Sequence, residues 1–153
     1  MNVSKKISIT FPDGHKKIFP DGLSGHDIAK TISKSLSKQA VAIKIDGVQK
    51  DLTDPITKDC EVSLITVNTD EGLEIMRHTV AAQVLARAIK NLYPKAKLAI
   101  GPTIKNGFYY DVMFEKPISF EDLEFIEKEM KRISLEKTSI NKTLHTKQEA
   151  ISL

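Results

Sequence analysis

The segment KISITFPDGHKKIFP, residues 6–20, decides the fold of the first half of this chain. Its KISITF portion alternates polar and apolar side chains, which is typical of a half-buried strand. Pro12-Asp13-Gly14 is a turn signal, and the KKIFP that follows supplies a returning strand. The pattern therefore predicts a β-hairpin over residues 5–19.

A helix is predicted after this hairpin. Ser24 and Asp27 have the spacing of a capping box, with aspartate in place of the usual glutamate. Ile28, Ile32 and Leu36 then follow at four-residue intervals, so their side chains share one face of a helix. We expect one amphipathic helix near residues 25–37.

More strand patterns complete the first half. VAIKIDG alternates and ends in a turn, VQKDL can pair across that turn, and CEVSLITV predicts a last strand near residues 60–67. A hairpin, then a helix, then further strands is the order of a β-grasp module, a small mixed sheet crossed by one helix. The fold class is therefore predicted as α+β, with an N-terminal β-grasp domain over residues 1–67.

The polar segment NTDEG separates this module from a second part, residues 68–153. Thr69 or Asp70 can cap a long helix that reaches about Tyr93, and Pro94 helps to end it. KLAIGPTI and GFYYDVMF predict two strands around the hairpin signal Lys-Asn-Gly at 105–107.

The end of the second part adds a helix and one more candidate strand. Ser119 precedes FEDLEFIEKEMKRI, whose acidic residues come early and basic residues late, as the helix dipole favours. SINKTLHT could form a strand, but no closing element follows it. We expect a truncated α+β domain in which the long helix packs on an antiparallel sheet.

Composition limits the class of protein. The chain has 153 residues, 41% hydrophobic content and a net charge of +3, which is compatible with RNA binding without requiring it. A single cysteine, Cys60, rules out an intrachain disulfide and an all-cysteine metal site. There is no P-loop and no dinucleotide-binding glycine pattern. Without a long apolar run or a signal-peptide core, a cytoplasmic protein with no membrane association is expected.

His78 is the first candidate functional residue. It stands in RHTVAAQVLARAIKNLYP, residues 77–94, on the side of the predicted helix that also carries Leu85 and Ile89. It is either a partly buried structural histidine or a catalytic group at the floor of a pocket. Because position 82 is alanine, the helix lacks a second histidine at i+4, and no metal site is expected.

The segment IGPTIKNGFYYD, residues 100–111, holds the second candidate. Phe108 and Tyr110 share one strand face, and Tyr109 takes the other. Either these rings only pack a sheet against a helix, or the Tyr110 hydroxyl reaches a pocket.

Taken together, several segments resemble the N-terminal region of the bacterial threonyl-tRNA synthetases. They are DEGLEIMRHTVA, AIKNLYPKAKLAIGPTIKNGFYYDV and FEDLEFIEKEMKRI, preceded by the hairpin with FPDG, and the match runs from about residue 6 to the end. In that family the first unit is called the TGS domain. The second is an editing domain, which hydrolyses serine mischarged onto threonine tRNA.

The resemblance implies a fragment of a threonine–tRNA ligase that carries the TGS module and half of an editing site. It implies threonine tRNA as the partner, and no cofactor in the fragment. ATP, magnesium, zinc and a homodimer contact are expected of a catalytic core outside this sequence. The fragment alone is expected to be inactive. The alternative is a non-catalytic TGS-containing module that binds RNA or protein.

The resemblance also assigns roles to three residues. His78 matches the first histidine of an HxxxH pair, and Tyr110 matches the second tyrosine of GFYYD. Ala82 and Gln83 stand where the family has the second histidine, because this helix is one residue longer than the family pattern. A local π-bulge near Ala81–Val84 should absorb that residue, since rotating later apolar residues away from the sheet would cost more. The bulge should turn Gln83 toward His78, where its amide binds substrate or water but relays no proton.

Overall fold

The computed structural model describes residues 5–153, which form two compact units. The first unit comprises the residues up to 82 together with Ala99–Asp111, and the second comprises Gln83–Leu98 and Val112–Leu153.

The main sheet of the first unit has the strand order β2-β1-β7-β4-β5. β1 pairs with β2, and β4 pairs with both β5 and β7, all in antiparallel orientation. β1 and β7 are parallel. β3 and β6 form a separate antiparallel ladder. The predicted hairpin and the predicted α+β class with a β-grasp module are confirmed. The strands in chain order are β1 (Lys6–Thr10), β2 (Lys16–Pro20), β3 (Leu23–Ser24), β4 (Ala40–Ile45), β5 (Val48–Lys50), β6 (Pro55–Ile56) and β7 (Cys60–Thr66).

The helix predicted near residues 25–37 is two helices, α1 (Gly25–Ile32) and α2 (Lys34–Gln39). The capping box of Ser24 and Asp27 is present. The single-helix prediction was wrong because Ser33 is extended, with φ −164° and ψ 154°, and its side chain accepts the Leu36 N–H. A serine hydroxyl that caps a new helix competes with continuation of the old one. Ile32 is consequently exposed rather than part of the apolar face.

Helix α1 covers one face of the sheet. Its Ile28 is fully buried among β-strand side chains, with Ile7 and Ile9 of β1, Ile43 of β4 and Val62 of β7 in the same cluster. Each such aliphatic side chain contributes about 1.5–3 kcal/mol when it is fully buried. This cluster is the core that the alternating patterns predicted.

The opposite face of the sheet is covered by helix α3 (Asp70–Thr79), which packs against β4 and β7. Ala42 and Ile65 are cross-strand partners there, and both are buried. Gly72 makes this approach possible, because a Cβ on it would lie 1.9 Å from the Thr66 carbonyl oxygen. The Thr69 side chain caps the helix by accepting the Gly72 N–H. The start of α3 is therefore seated directly on the end of β7.

A π-helical segment, Val80–Leu85, follows α3 and leads into helix α4 (Ala86–Leu92). It spans the Ala81–Val84 region, so the predicted π-bulge is confirmed. After it, Ala88 and Ile89 are buried as the pattern required. The wide turn predicted for the extra residue is present, whereas Leu92 at the end of α4 is 39% exposed.

The strands after α4 are shorter than predicted. β8 (Lys97–Leu98) pairs with β11 (Val112–Met113) in the second unit, and β9 (Thr103–Ile104) pairs with β10 (Gly107–Phe108) in the first. The prediction of two continuous strands was wrong at residues 99–102 and at residues 109–111. Pro102 has no N–H to donate and Gly101 weakens strand structure, so the ladder is interrupted at residues 99–102.

In the second unit, α4 packs against helix α5 (Phe120–Leu135), which starts at the Ser119 capping box. Arg87 of α4 forms an ion pair with Glu136 at 2.9 Å, and Asn91 donates to Glu129 at 2.7 Å. The strand predicted for SINKTLHT is absent from residues 139–146, which have no strand beside them to share hydrogen bonds. A short helix, α6 (Lys147–Ser152), ends the chain.

Within residues 5–153, no helix is both long enough and apolar enough to cross a membrane. The predicted domain boundary after residue 67 stays a prediction, which limited proteolysis between residues 66 and 71 would test.

Candidate functional site

Helix α3 presents His78 near its carboxyl end, two residues before the π-helical segment begins. The side chain is exposed, whereas the neighbouring Arg77 is half-buried. The interpretation of His78 as a partly buried structural histidine is therefore wrong. An exposed imidazole is accessible to solvent and to a ligand, as proton transfer requires.

Tyr110 is half-buried, and its ring lies against Gly101. A Cβ built on Gly101 would be 2.2 Å from Cδ2 and 2.7 Å from Cε2 of that ring. Tyr109 is 64% exposed. Both tyrosines lie just after β10, so their placement on two strand faces stays a prediction, and Gly101 is the residue that lets the Tyr110 ring approach the backbone.

Backbone hydrogen bonds fix the two segments around this contact. The Asp111 N–H donates to the Ile100 carbonyl at 2.9 Å, and the Tyr109 N–H donates to the Pro102 carbonyl at 3.0 Å. The β9–β10 hairpin that precedes Tyr110 packs against α3. His78 therefore lies on the helix that the hairpin contacts, and Tyr110 lies in the segment that follows the hairpin, both within the first unit.

Gln83 lies in the π-helical segment and is exposed, as is Ala82 beside it. It belongs to the second unit, whereas His78 and Tyr110 belong to the first. The orientation of Gln83 toward His78 stays a prediction.

A cleft of about 510 Å³ in the first unit was not predicted from the sequence. One side of the cleft is formed by Asp70, Glu74 and Arg77 of α3. The other side is formed by residues 103–106, which are β9 and the turn after it. His78 and Tyr110 are not among its lining residues. The spacing of the three charged residues, close to one helical turn each, was the available signal.

A second cleft, of about 550 Å³, lies in the second unit between the end of α4 and the start of α5. Tyr93 donates a hydrogen bond of 2.7 Å to Asp122, and its ring meets Phe114 edge-on at 5.2 Å. The bond to Asp122 raises the pKa of Tyr93 above its ordinary value. The Ser119 backbone N–H, followed by the Tyr93 hydroxyl, lowers the pKa of Asp122. Asp122 is thus an ionised helix-capping group, and it accepts hydrogen bonds from Ser119 and Tyr93 of the same unit.

Metal binding requires several ligating side chains to converge. Across the described part of the chain, no three His, Cys, Asp or Glu side chains are grouped so that they could hold a metal ion. Cys60 is buried at the start of β7, and burial raises the pKa of its thiol, as does the nearby Asp46 carboxylate. Cys60 is thus a small packed residue.

Comparisons with known proteins show what this chain is similar to. Residues 7–66 match the family model of the TGS domain. A threonine–tRNA ligase from Rhizobium johnstonii is 44% identical over 148 residues, which is 97% of this chain and 22% of that protein. A threonine–tRNA ligase from Bacillus velezensis is 51% identical over 86% of this chain and 20% of that protein. One from Francisella tularensis subsp. novicida is 46% identical over 95% of this chain and 23% of that protein. The resemblance to the N-terminal region of threonine–tRNA ligases is confirmed.

The chain spans about a fifth of the length of these ligases. The similarity runs through the TGS segment and on through α3, the π-helical segment and the segment with Gly101 and Tyr110, because it covers 86–97% of the chain.

Proposed function

We propose that this chain is part of a threonine–tRNA ligase, to which it contributes the TGS domain and part of a site that hydrolyses mischarged seryl-tRNA. The observation that carries the proposal is the 44–51% identity to threonine–tRNA ligases over most of the chain. Threonine tRNA is the partner that this function requires. The parent protein would attach threonine to that tRNA with ATP.

His78 is proposed to work on the ester bond of mischarged tRNA. Hydrolysis of an aminoacyl ester needs a positioned water and a group that accepts or relays its proton. An imidazole can both accept and donate a proton, and the exposure of His78 on α3 leaves it accessible.

Tyr110 and Gln83 are proposed to position substrate. A tyrosine hydroxyl can donate to a substrate oxygen, and an amide can both donate and accept. Neither group relays a proton near neutral pH as a histidine does. A site with Gln83 in place of a second histidine therefore holds substrate or water through that residue and relies on other groups for proton transfer.

The remaining requirements of the parent enzyme are proposed to lie outside this chain. ATP, magnesium and zinc would be bound by the parts of the ligases that this sequence does not span. The same holds for the homodimer contact. The proposed compartment is the cytoplasm.

The first experiment uses the whole protein encoded by the gene that contains this sequence. It should attach threonine to threonine tRNA in an ATP-dependent reaction and should release serine from seryl-tRNA. Replacing His78 with alanine should lower the rate of serine release by about 100-fold or more, as expected when a proton-transfer group is lost. Threonylation should be unchanged.

His15→Ala is a matched control, since His15 is an exposed histidine in the hairpin turn of the first unit. It should leave serine release unchanged. The 153-residue chain alone should release serine no faster than buffer does. If the whole protein binds threonine tRNA but neither threonylates it nor releases serine, the non-catalytic binding module is the correct function.

A further inference from the structure

The contact between Gly101 and Tyr110 has a consequence for the proposed site. A Cβ at Gly101 would lie 2.2 Å from Tyr110 Cδ2, a distance that real Cβ contacts essentially never show. The Tyr109 carbonyl oxygen would also be close, at 3.2 Å. Any side chain at position 101 would therefore displace the Tyr110 ring or the backbone next to it.

The backbone around Gly101 is held on both sides. The Asp111 N–H to Ile100 bond and the Tyr109 N–H to Pro102 bond flank the contact, and the Ala99 N–H donates to the Asp111 carbonyl at 3.0 Å. Pro102 further restricts the chain, because its ring fixes φ. With the backbone held in this way, the ring is the part that must move.

Gly101 is not needed here for an unusual backbone conformation. The glycines of this chain with positive φ are Gly14, Gly22 and Gly47, at 78° to 83°. Glycine is needed at position 101 because the Tyr110 ring occupies the space that a side chain would fill.

We infer that Gly101 is a positioning residue, which sets the location of the Tyr110 ring and hydroxyl in the proposed seryl-tRNA site. The inference rests on the proposed function of Tyr110. Gly101 itself has no side chain with which to contact substrate, so its effect on hydrolysis passes through Tyr110.

The first test observes the ring itself. Tyrosine-labelled NMR spectra of the 153-residue chain are recorded for the wild type, Gly101→Ala and Gly107→Ala, with the Tyr110 signals assigned from Tyr110→Phe. Gly107 is the matched control, because it lies in the hairpin that follows Gly101 and nothing is within 4 Å of a Cβ built on it. Gly101→Ala should shift the Tyr110 ring signals, and Gly107→Ala should leave them in place. Unshifted Tyr110 signals in Gly101→Ala overturn the inference whether or not the parent protein is an editing enzyme.

The second test measures serine release from seryl-tRNA by the whole protein. Gly101→Ala should lower the single-turnover rate on the order of tenfold to 100-fold, since a misplacement of about 1 Å can cost about 100-fold. In a Tyr110→Ala background, Gly101→Ala should have no further effect, and threonylation should be unchanged throughout.

The outcomes of the second test separate the two proposals. If Tyr110→Ala leaves serine release unchanged, the proposed role of Tyr110 fails, and with it the functional part of the inference. If Tyr110→Ala lowers serine release while Gly101→Ala does not, only the positioning role of Gly101 is overturned. Additive losses of rate from the two substitutions would also overturn that positioning role alone.

Discussion

Replacing Gly72 with alanine tests how helix α3 is seated on the sheet. Alanine is a better helix former than glycine by about 1 kcal/mol, so this change should stabilise a helix with open space around it. Here the new Cβ would lie 1.9 Å from the Thr66 carbonyl oxygen and 2.6 Å from its carbon. The first distance is more than 1 Å shorter than real Cβ contacts, so the helix must move away from β7.

The expected change in the free energy of unfolding is the sum of opposing contributions. Overpacking costs about 1–3 kcal/mol, and weakening of the Thr69 cap, whose oxygen is 3.1 Å from the Gly72 nitrogen, adds about 1 kcal/mol. After the gain in helix propensity, Gly72→Ala should lower the free energy of unfolding by about 1–3 kcal/mol.

Urea unfolding followed by circular dichroism measures this change. With an m-value of about 2 kcal/mol/M, the midpoint should fall by about 0.5–1.5 M. Thr69→Ala isolates the cap and should cost only about 1 kcal/mol. Gly107→Ala, which meets open space, should be neutral or stabilising by up to about 1 kcal/mol. A rise in the midpoint for Gly72→Ala would refute the close approach of α3 to β7.

Two further predictions concern the core and the acid range. Ile9→Ala should lower the free energy of unfolding by about 2–5 kcal/mol, because Ile9 is fully buried. Ile18 is 59% exposed, so Ile18→Ala should change the free energy of unfolding by about 0.5 kcal/mol or less. The urea midpoints of the two variants measure this difference. Bonds from Arg132 and then Asn91 lower the pKa of Glu129 from 4.5 to about 2. Because the folded-state pKa is depressed, this stabilisation is present above about pH 4.5 and is lost as the pH falls toward 2. With Glu129→Gln, the urea midpoint should therefore fall less steeply with decreasing pH across that range. A midpoint that falls as steeply as in the wild type would contradict the assignment of this stabilisation to Glu129.

The β-grasp half was predictable because local signals agreed with its long-range pairing. The alternation in KISITF, the turn at Gly14 and the alternation in CEVSLITV all describe side chains that meet in one core. The division at Ser33 was not predicted, since the four-residue spacing of Ile28, Ile32 and Leu36 continues through it. A serine that caps a second helix is recognisable only when its backbone is seen to be extended.

The candidate site was predictable residue by residue, whereas its spatial relations were not. The sequence indicated that Tyr110 faces away from Tyr109, but the fit of its ring against Gly101 depends on how residues 99–102 meet residues 109–111. The exposure of His78 likewise depends on what packs around α3. Periodicity assigns a residue to a face, but which neighbours cover that face is a property of the tertiary structure.

The π-helical segment makes this long helix tolerant of changes in its length. Val80–Leu85 holds its extra residue within one wide turn, and Ala86, Ala88 and Ile89 are buried in the helix that follows. Removing one residue inside the segment should let the turn close to ordinary α-helical bonding while Ile89 stays in place. Insertions and deletions here would then alter the outward-facing residues near His78 without disturbing the packing of α4. A helix built in this way can vary its exposed chemistry during evolution while its buried face remains under constraint.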